Sequence, residues 1–154
     1  MTKSKALFWS GCRISELINI KLDDVKVNDK AAVKVKSGKG SKERTVYLPS
    51  QLHEQVRFVF RGVEYLFETG GHRKYNSNNI CNELKRQGTK AGYDISPHTL
   101  RHSKAMYLKN VRKLSADQIA KALGHSRVST TLESYFHGTP TAEEQGIGAQ
   151  EKLF

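Results

Sequence analysis

Two short segments of this chain alternate apolar and polar residues at every second position, and a glycine-bearing stretch separates them. Ala31-Ala-Val-Lys-Val-Lys36 is the first. Arg44 to Leu48 is the second, with Val46 and Leu48 on one face. Period-two alternation belongs to half-buried strands, because successive side chains point to opposite faces. The intervening Ser37-Gly-Lys-Gly-Ser-Lys42 suits a hairpin connection. This pair is the clearest strand signal, so any sheet is expected to be small and antiparallel.

Elsewhere the apolar spacing is helical. Ala6 to about Ile20 reads as helix with a break or tight packing around Gly11, with Ile14, Leu17 and Ile18 making a core-facing stripe and Asp23-Asp24 closing the segment. Leu52 to about Arg61 carries apolar residues at 52, 56, 59 and 60. Ser77 to about Ala91 places Ile80, Leu84 and Ala91 on one side, with Gly92 as its stop. Ser96-Pro97 is an N-cap followed by proline at the first helical position, opening a helix to about Lys109. Ser115 to Gln118 has capping-box spacing before Ile119–Leu123, which Gly124 ends. Ser129 can cap a last helix through Phe136, and 138–154 read as a C-terminal tail. The expected fold class is therefore mainly α with a small antiparallel β-sheet (α+β).

With 154 residues, the chain is long enough to bury a core without disulfide or metal staples. Lys and Arg number 26 against 15 Asp and Glu, a formal charge of +11. Such an excess favours polyanionic partners, nucleic acid first and acidic membranes second. Cys12 and Cys81 match no metal or redox spacing, which makes a reduced cytoplasmic protein the default expectation. No run of 18 apolar residues and no charged-then-apolar leader occurs, so neither a membrane span nor a secretory signal is expected.

Several residues carry chemistry that makes sense only in combination. His98 and Arg101 are i, i+3 neighbours at the start of a capped helix, where unpaired backbone N–H groups favour an anion. Arginine offers a fixed fork of donors to phosphate, and histidine moves protons near neutral pH. His98 and His102 have the i, i+4 spacing of a zinc helix, but Thr99 stands where a metalloprotease has glutamate, and no third ligand suggests itself. His125 follows Leu123-Gly124, and Tyr135 lies ten residues later. A tyrosine hydroxyl, with a pKa of about 10, is a poor nucleophile unless nearby cations stabilise the phenolate. Arg13 sits among apolar positions, where an ion pair with Glu16 and a bound phosphate are the competing explanations. Lys39 is either a solvated turn lysine or an ammonium that a hairpin tip delivers to DNA.

In order and spacing this set resembles the tyrosine recombinases of the phage-integrase family. Gly11-Cys-Arg-Ile-Ser-Glu-Leu-Ile-Asn-Ile-Lys-Leu-Asp-Asp-Val25 is similar to the family's first arginine box. Ser37 to Pro49 is similar to the hairpin that bears its lysine, and Ser96-Pro-His-Thr-Leu-Arg-His-Ser103 to its His-x-x-Arg box. Leu123-Gly-His-Ser126 and Ser129-Thr-Thr-Leu-Glu-Ser-Tyr135-Phe-His137 are similar to its final box. The resemblance covers roughly residues 6 to 137, and implies the DNA breaking-rejoining fold with a catalytic domain over 1–137. It further implies that Tyr135 attacks the scissile phosphate and forms a 3′-phosphotyrosine link. By the same resemblance Arg13 and Arg101 would bind the non-bridging oxygens, His125 would hydrogen-bond the phosphate, and His98 would assist proton transfer. The resemblance implies Lys39 as the general acid; Lys36 and Lys42 flank it and leave the choice open, and its Gly-Lys-Gly setting favours it. Glu16 is a structural partner. No metal, nucleotide or other cofactor is implied.

The implied partners are double-stranded DNA at a recombination site and further copies of the chain, a homo-tetramer on DNA. Accessory DNA-bending or directionality proteins complete the set, and the expected setting is the cytoplasm of a prokaryote or phage-infected cell. The His125 to Tyr135 interval is one residue longer than in bacterial chromosome-dimer recombinases. The family's amino-terminal core-binding domain and the first helix of its catalytic domain have no counterpart in this sequence. Competing functions are a type IB topoisomerase, a truncated DNA-binding remnant or regulator without strand exchange, and a metal nuclease built on the histidines.

Overall fold

The computed structural model describes residues 2–36, 43–70 and 72–125. The first expected helix divides in two, α1 (Thr2–Ser10) and the single turn α2 (Ile14–Leu17). Gly11 makes the division. Its φ of +62° is readily available only to glycine, and a Cβ there would lie 2.6 Å from Leu123 Cδ2. The stripe of Ile14, Leu17 and Ile18 lies wholly beyond that break, on α2 and its C-cap.

A 3-10 turn, Leu22–Asp24, leads into a three-stranded antiparallel sheet in the order β1 (Val25–Val27), β2 (Ala31–Val35), β3 (Arg44–Leu48). Strands β2 and β3 match the two alternating segments, paired from Ala31↔Leu48 to Val35↔Arg44. Val33, Val35, Val46 and Leu48 face the core, while Lys34, Thr45 and Tyr47 face outward. Strand β1 is an addition to the expected hairpin. Three residues with Val27 and Lys26 exposed give no alternation to read. A two-residue ribbon, β4 (Glu68–Thr69) with β5 (Arg73–Lys74), is likewise an addition.

The remaining helices follow their caps. Helix α3 spans Ser50–Phe60 and α4 spans Ser77–Ala91, where the Asn76 side chain accepts the Asn78 N–H and Gly92 closes the helix at φ +79°. Ser96 caps α5 (Pro97–Asn110) by accepting from the Thr99 N–H at 3.0 Å. Ser115 and Gln118 form the capping box of α6 (Ala116–Leu123). The helix expected from Ser129 and the tail lie outside the described residues.

Helix α1 packs on α5, α3 and β3, and α6 lies against α5 and β3. Leu7, Leu17, Val33, Leu48, Leu66, Phe67, Ile80, Leu84 and Leu100 share the main core. Ala105, Met106, Ile119 and Leu123 form a smaller cluster between α5 and α6. Each such aliphatic side chain contributes about 1.5–3 kcal/mol when fully buried. The Lys104 ammonium lies 4.9 Å from the Trp9 ring, 5.2 Å from Tyr107 and 5.6 Å from Phe8, a cation–π contact joining α1 to α5. Among the described residues no helix is long and apolar enough to cross a membrane.

Candidate active site

Three chain segments meet beside β3: the turn from Gly11 into α2, the first turns of α5, and the exit from α6. Arg101 joins the outer two. Its side chain is buried at 7 % exposure; Nη1 donates to the Gly11 carbonyl at 2.5 Å and Nη2 to the Leu123 carbonyl at 2.7 Å. An arginine buried against two carbonyls is held in one orientation, as a preorganised anion site requires. The tight turn at Gly11 aims one of those carbonyls, which ties the glycine to the site.

Arg13 stands at the N-cap of α2. The Glu16 carboxylate reaches back to it, accepting from the Arg13 backbone N–H at 2.8 Å and from Nη1 at 3.2 Å. The Arg13 side chain remains 46 % exposed while that of Glu16 is 6 % exposed. Both competing explanations for Arg13 thus survive in part: it has its glutamate, and its guanidinium still reaches solvent. The stronger partner of Glu16 is Arg44, whose Nη1 and Nη2 donate to the two carboxylate oxygens at 3.0 and 2.7 Å. Sequence reading places Arg44 in a strand and assigns it nothing more. The available signal is parity, since Arg44 shares the inward row of Val46 and Leu48, and a charge on that row needs a buried partner.

His98 is exposed at the second position of α5, one turn before Arg101. His125 follows Gly124, whose φ of +70° turns the chain out of α6, and its N–H donates to the Ala120 carbonyl. Burial is the main influence lowering the His125 pKa to about 4, and the charges of Arg101, Arg13, Arg44 and His98 push the same way. The charges of Arg13, Arg44, His98 and Arg101 thus all reach the His125 imidazole. At neutral pH a neutral imidazole stands in a field of guanidinium groups, an arrangement suited to receiving an anion. Burial likewise raises the Cys12 thiol to about 11, leaving it a neutral neighbour. The Lys36 ammonium is paired with Asp24. Among the described residues no three His, Cys, Asp or Glu side chains are grouped as metal ligands. Lys39 and Tyr135 lie outside the described residues.

The sequence model of the Phage integrase family matches residues 4–141. The chain is 39 % identical over 132 residues to the tyrosine recombinase XerA of Thermococcus kodakarensis, covering 81 % of this chain and 46 % of that protein. It spans about half the length of the curated relatives it matches. The crystal structure of a XerA recombinase superposes with a TM-score of 0.73 at 28 % identity, over 95 % of this chain and 56 % of the other. A XerH site-specific recombinase, solved in a post-cleavage complex with a palindromic difH substrate, shares the fold with a TM-score of 0.75 at 24 % identity, over 96 % and 45 %. By sequence match and by fold, this chain belongs to the phage integrase family.

Proposed function

We propose that this chain is the catalytic part of a tyrosine-type site-specific DNA recombinase, which cleaves and rejoins DNA through a 3′-phosphotyrosine link to Tyr135. The observation that carries this reading is Arg101, buried and fixed on the Gly11 and Leu123 carbonyls, which ties the Arg13 segment to the turn before His125; the charges of Arg13, His98 and Arg101 acting on His125 support it. In the proposed reaction the Tyr135 oxygen bonds to the scissile phosphorus as the bond to the 5′-oxygen breaks. Arg13 and Arg101 neutralise the non-bridging oxygens as charge builds, since bidentate guanidinium geometry matches a phosphoryl group. His125, neutral before DNA arrives, supplies a hydrogen bond.

His98 assists removal of the tyrosine proton, and Lys39 protonates the departing 5′-oxygen. The pairing of Lys36 with Asp24 favours Lys39 over that neighbour. Rejoining is the same path reversed, with the phosphotyrosine conserving the bond energy. The charge of +11 supports DNA as partner, with affinity that falls steeply as salt rises. Integration or excision of a mobile element by a tetramer on DNA, in a cytoplasmic setting, is the context that fits this chemistry.

The test separates binding from cleavage on a nicked duplex. Tyr135→Phe is expected to abolish covalent attachment while leaving DNA affinity nearly unchanged. Arg13→Ala and Arg101→Ala are each expected to slow cleavage on the order of a hundredfold or more, with much smaller changes in binding. Equal losses in both would reduce the arginines to docking residues, and persistent adducts in the Phe variant would mean another nucleophile.

A further inference from the structure

We propose that Arg44 is a positioning residue, tying the strand that follows Lys39 to the side chains that receive the phosphate. The proposal rests on the site assignment given above and adds a residue to it. Arg44 is the first residue of β3 and pairs with Val35, the last residue of β2, so it stands at the open end of the two strands that residues 36–43 connect. Lys39 precedes it by five positions in the sequence. The Arg44 side chain is 8 % exposed and faces inward.

Two contacts make Arg44 a junction. On one side its fork grips both oxygens of Glu16, and the same two oxygens receive the Arg13 backbone N–H and Nη1. Moving Arg44 therefore moves the carboxylate that orients Arg13. On the other side it abuts the turn before His125: a Cβ on Gly124 would lie 2.5 Å from Arg44 Nη1 and 2.8 Å from Cζ. The absence of a side chain at 124 lets the guanidinium lie against that backbone. One planar group thus touches the first arginine segment, the histidine turn and the base of the lysine-bearing connection. Lysine cannot reproduce this, because a single ammonium cannot give two parallel hydrogen bonds to a carboxylate while filling the same flat space.

The experiment compares the wild-type chain with Arg44→Lys and Glu16→Gln by NMR, with inorganic phosphate as the probe. Arg44→Lys keeps the charge and loses the fork. It is expected to shift the Arg13 Nε–H and His125 N–H signals, leave those of α4 and the β4–β5 ribbon in place, and weaken phosphate binding about tenfold. His125 is expected to keep its low titration midpoint in this variant, because the cation remains. Glu16→Gln keeps the shape and removes the anion between the two arginines, and is expected to give the same Arg13 shift even if Arg44→Lys fails to fold. Unchanged Arg13 and His125 signals in a folded variant, with phosphate affinity within twofold of wild type, would overturn the proposal. A wild-type chain whose Arg101 and His125 signals ignore phosphate would instead contradict the proposed function, and the Arg13 and His125 signals of the variants would still decide whether Arg44 positions them.

Discussion

Glu16 and Glu68 are both buried carboxylates, at 7 % and 4 % exposure, and they are satisfied by opposite means. Glu16 is held mainly by side-chain cations, Arg44 on both oxygens and Arg13 on one, with the Arg13 backbone N–H on the other. Glu68 is held by backbone: it accepts the N–H groups of Val63, Glu64 and Tyr65 at 3.0, 2.5 and 2.6 Å. Those hydrogen bonds, the Tyr65 one foremost, draw its pKa down to about 2. A carboxylate on backbone N–H groups shapes a loop, here residues 61–68, without a buried cation among the described residues, the exposed His72 ring lying beside it at 3.5 Å. A carboxylate between arginines aligns cations that have a further use. Burial of an acid is not by itself a sign of function; the identity of its partners is.

The largest test of this contrast is Arg44→Ala. It leaves the buried Glu16 carboxylate with Arg13 alone, and breaking a buried pair in this way costs about 3 kcal/mol. Urea unfolding should show that loss, and a change within error would mean that the pair is solvated and the contrast false. Glu68→Ala is expected to act more locally, raising amide exchange at Val63, Glu64 and Tyr65 while the phosphate response of Arg101 and His125 stays intact. If that response fell as well, the loop and the site would not be separable.

Acid sharpens the comparison further. The Glu68 pKa is lower in the folded chain than its ordinary value of 4.5, so its stabilisation is fully present above about 4.5 and is lost as pH falls toward about 2. The His125 pKa is also lowered, from 6.5 to about 4. The unfolded chain then binds the extra proton first, and stability falls between pH 6.5 and 4. An NMR titration should find the His125 imidazole neutral at pH 5 in the free chain, and phosphate should raise its midpoint by offsetting the arginines. A midpoint near 6.5 without phosphate would remove the clustered charge from the account. The smallest expected effect concerns Cys12, whose raised pKa predicts slower alkylation at pH 8 than for Cys81.

Local chemistry made much of this fold legible. The Ser96-Pro97 and Ser115–Gln118 caps mark the starts of α5 and α6, and Gly92 and Gly124 mark the ends of α4 and α6, because each satisfies an orphan backbone group or a left-handed turn within a few residues. The alternation of 31–36 and 44–48 marks β2 and β3 for the same local reason. Strand β1 and the β4–β5 ribbon are too short to show a period, and only their pairing defines them. Six site residues are named through the family resemblance; Lys39 and Tyr135 lie outside the described residues, and the charges of Arg13, His98 and Arg101 all act on His125. Arg44 escaped because its role depends on Glu16, 28 positions away, and on the missing side chain of Gly124. No local pattern encodes that meeting.

Whether this cluster serves a tyrosine nucleophile is read by covalent trapping on nicked DNA followed by mass spectrometry of the modified peptide. With a metal chelator present throughout, a nucleotide adduct on Tyr135 is expected. An adduct on another residue, or cleavage that leaves no protein–DNA link, would contradict the Tyr135 assignment.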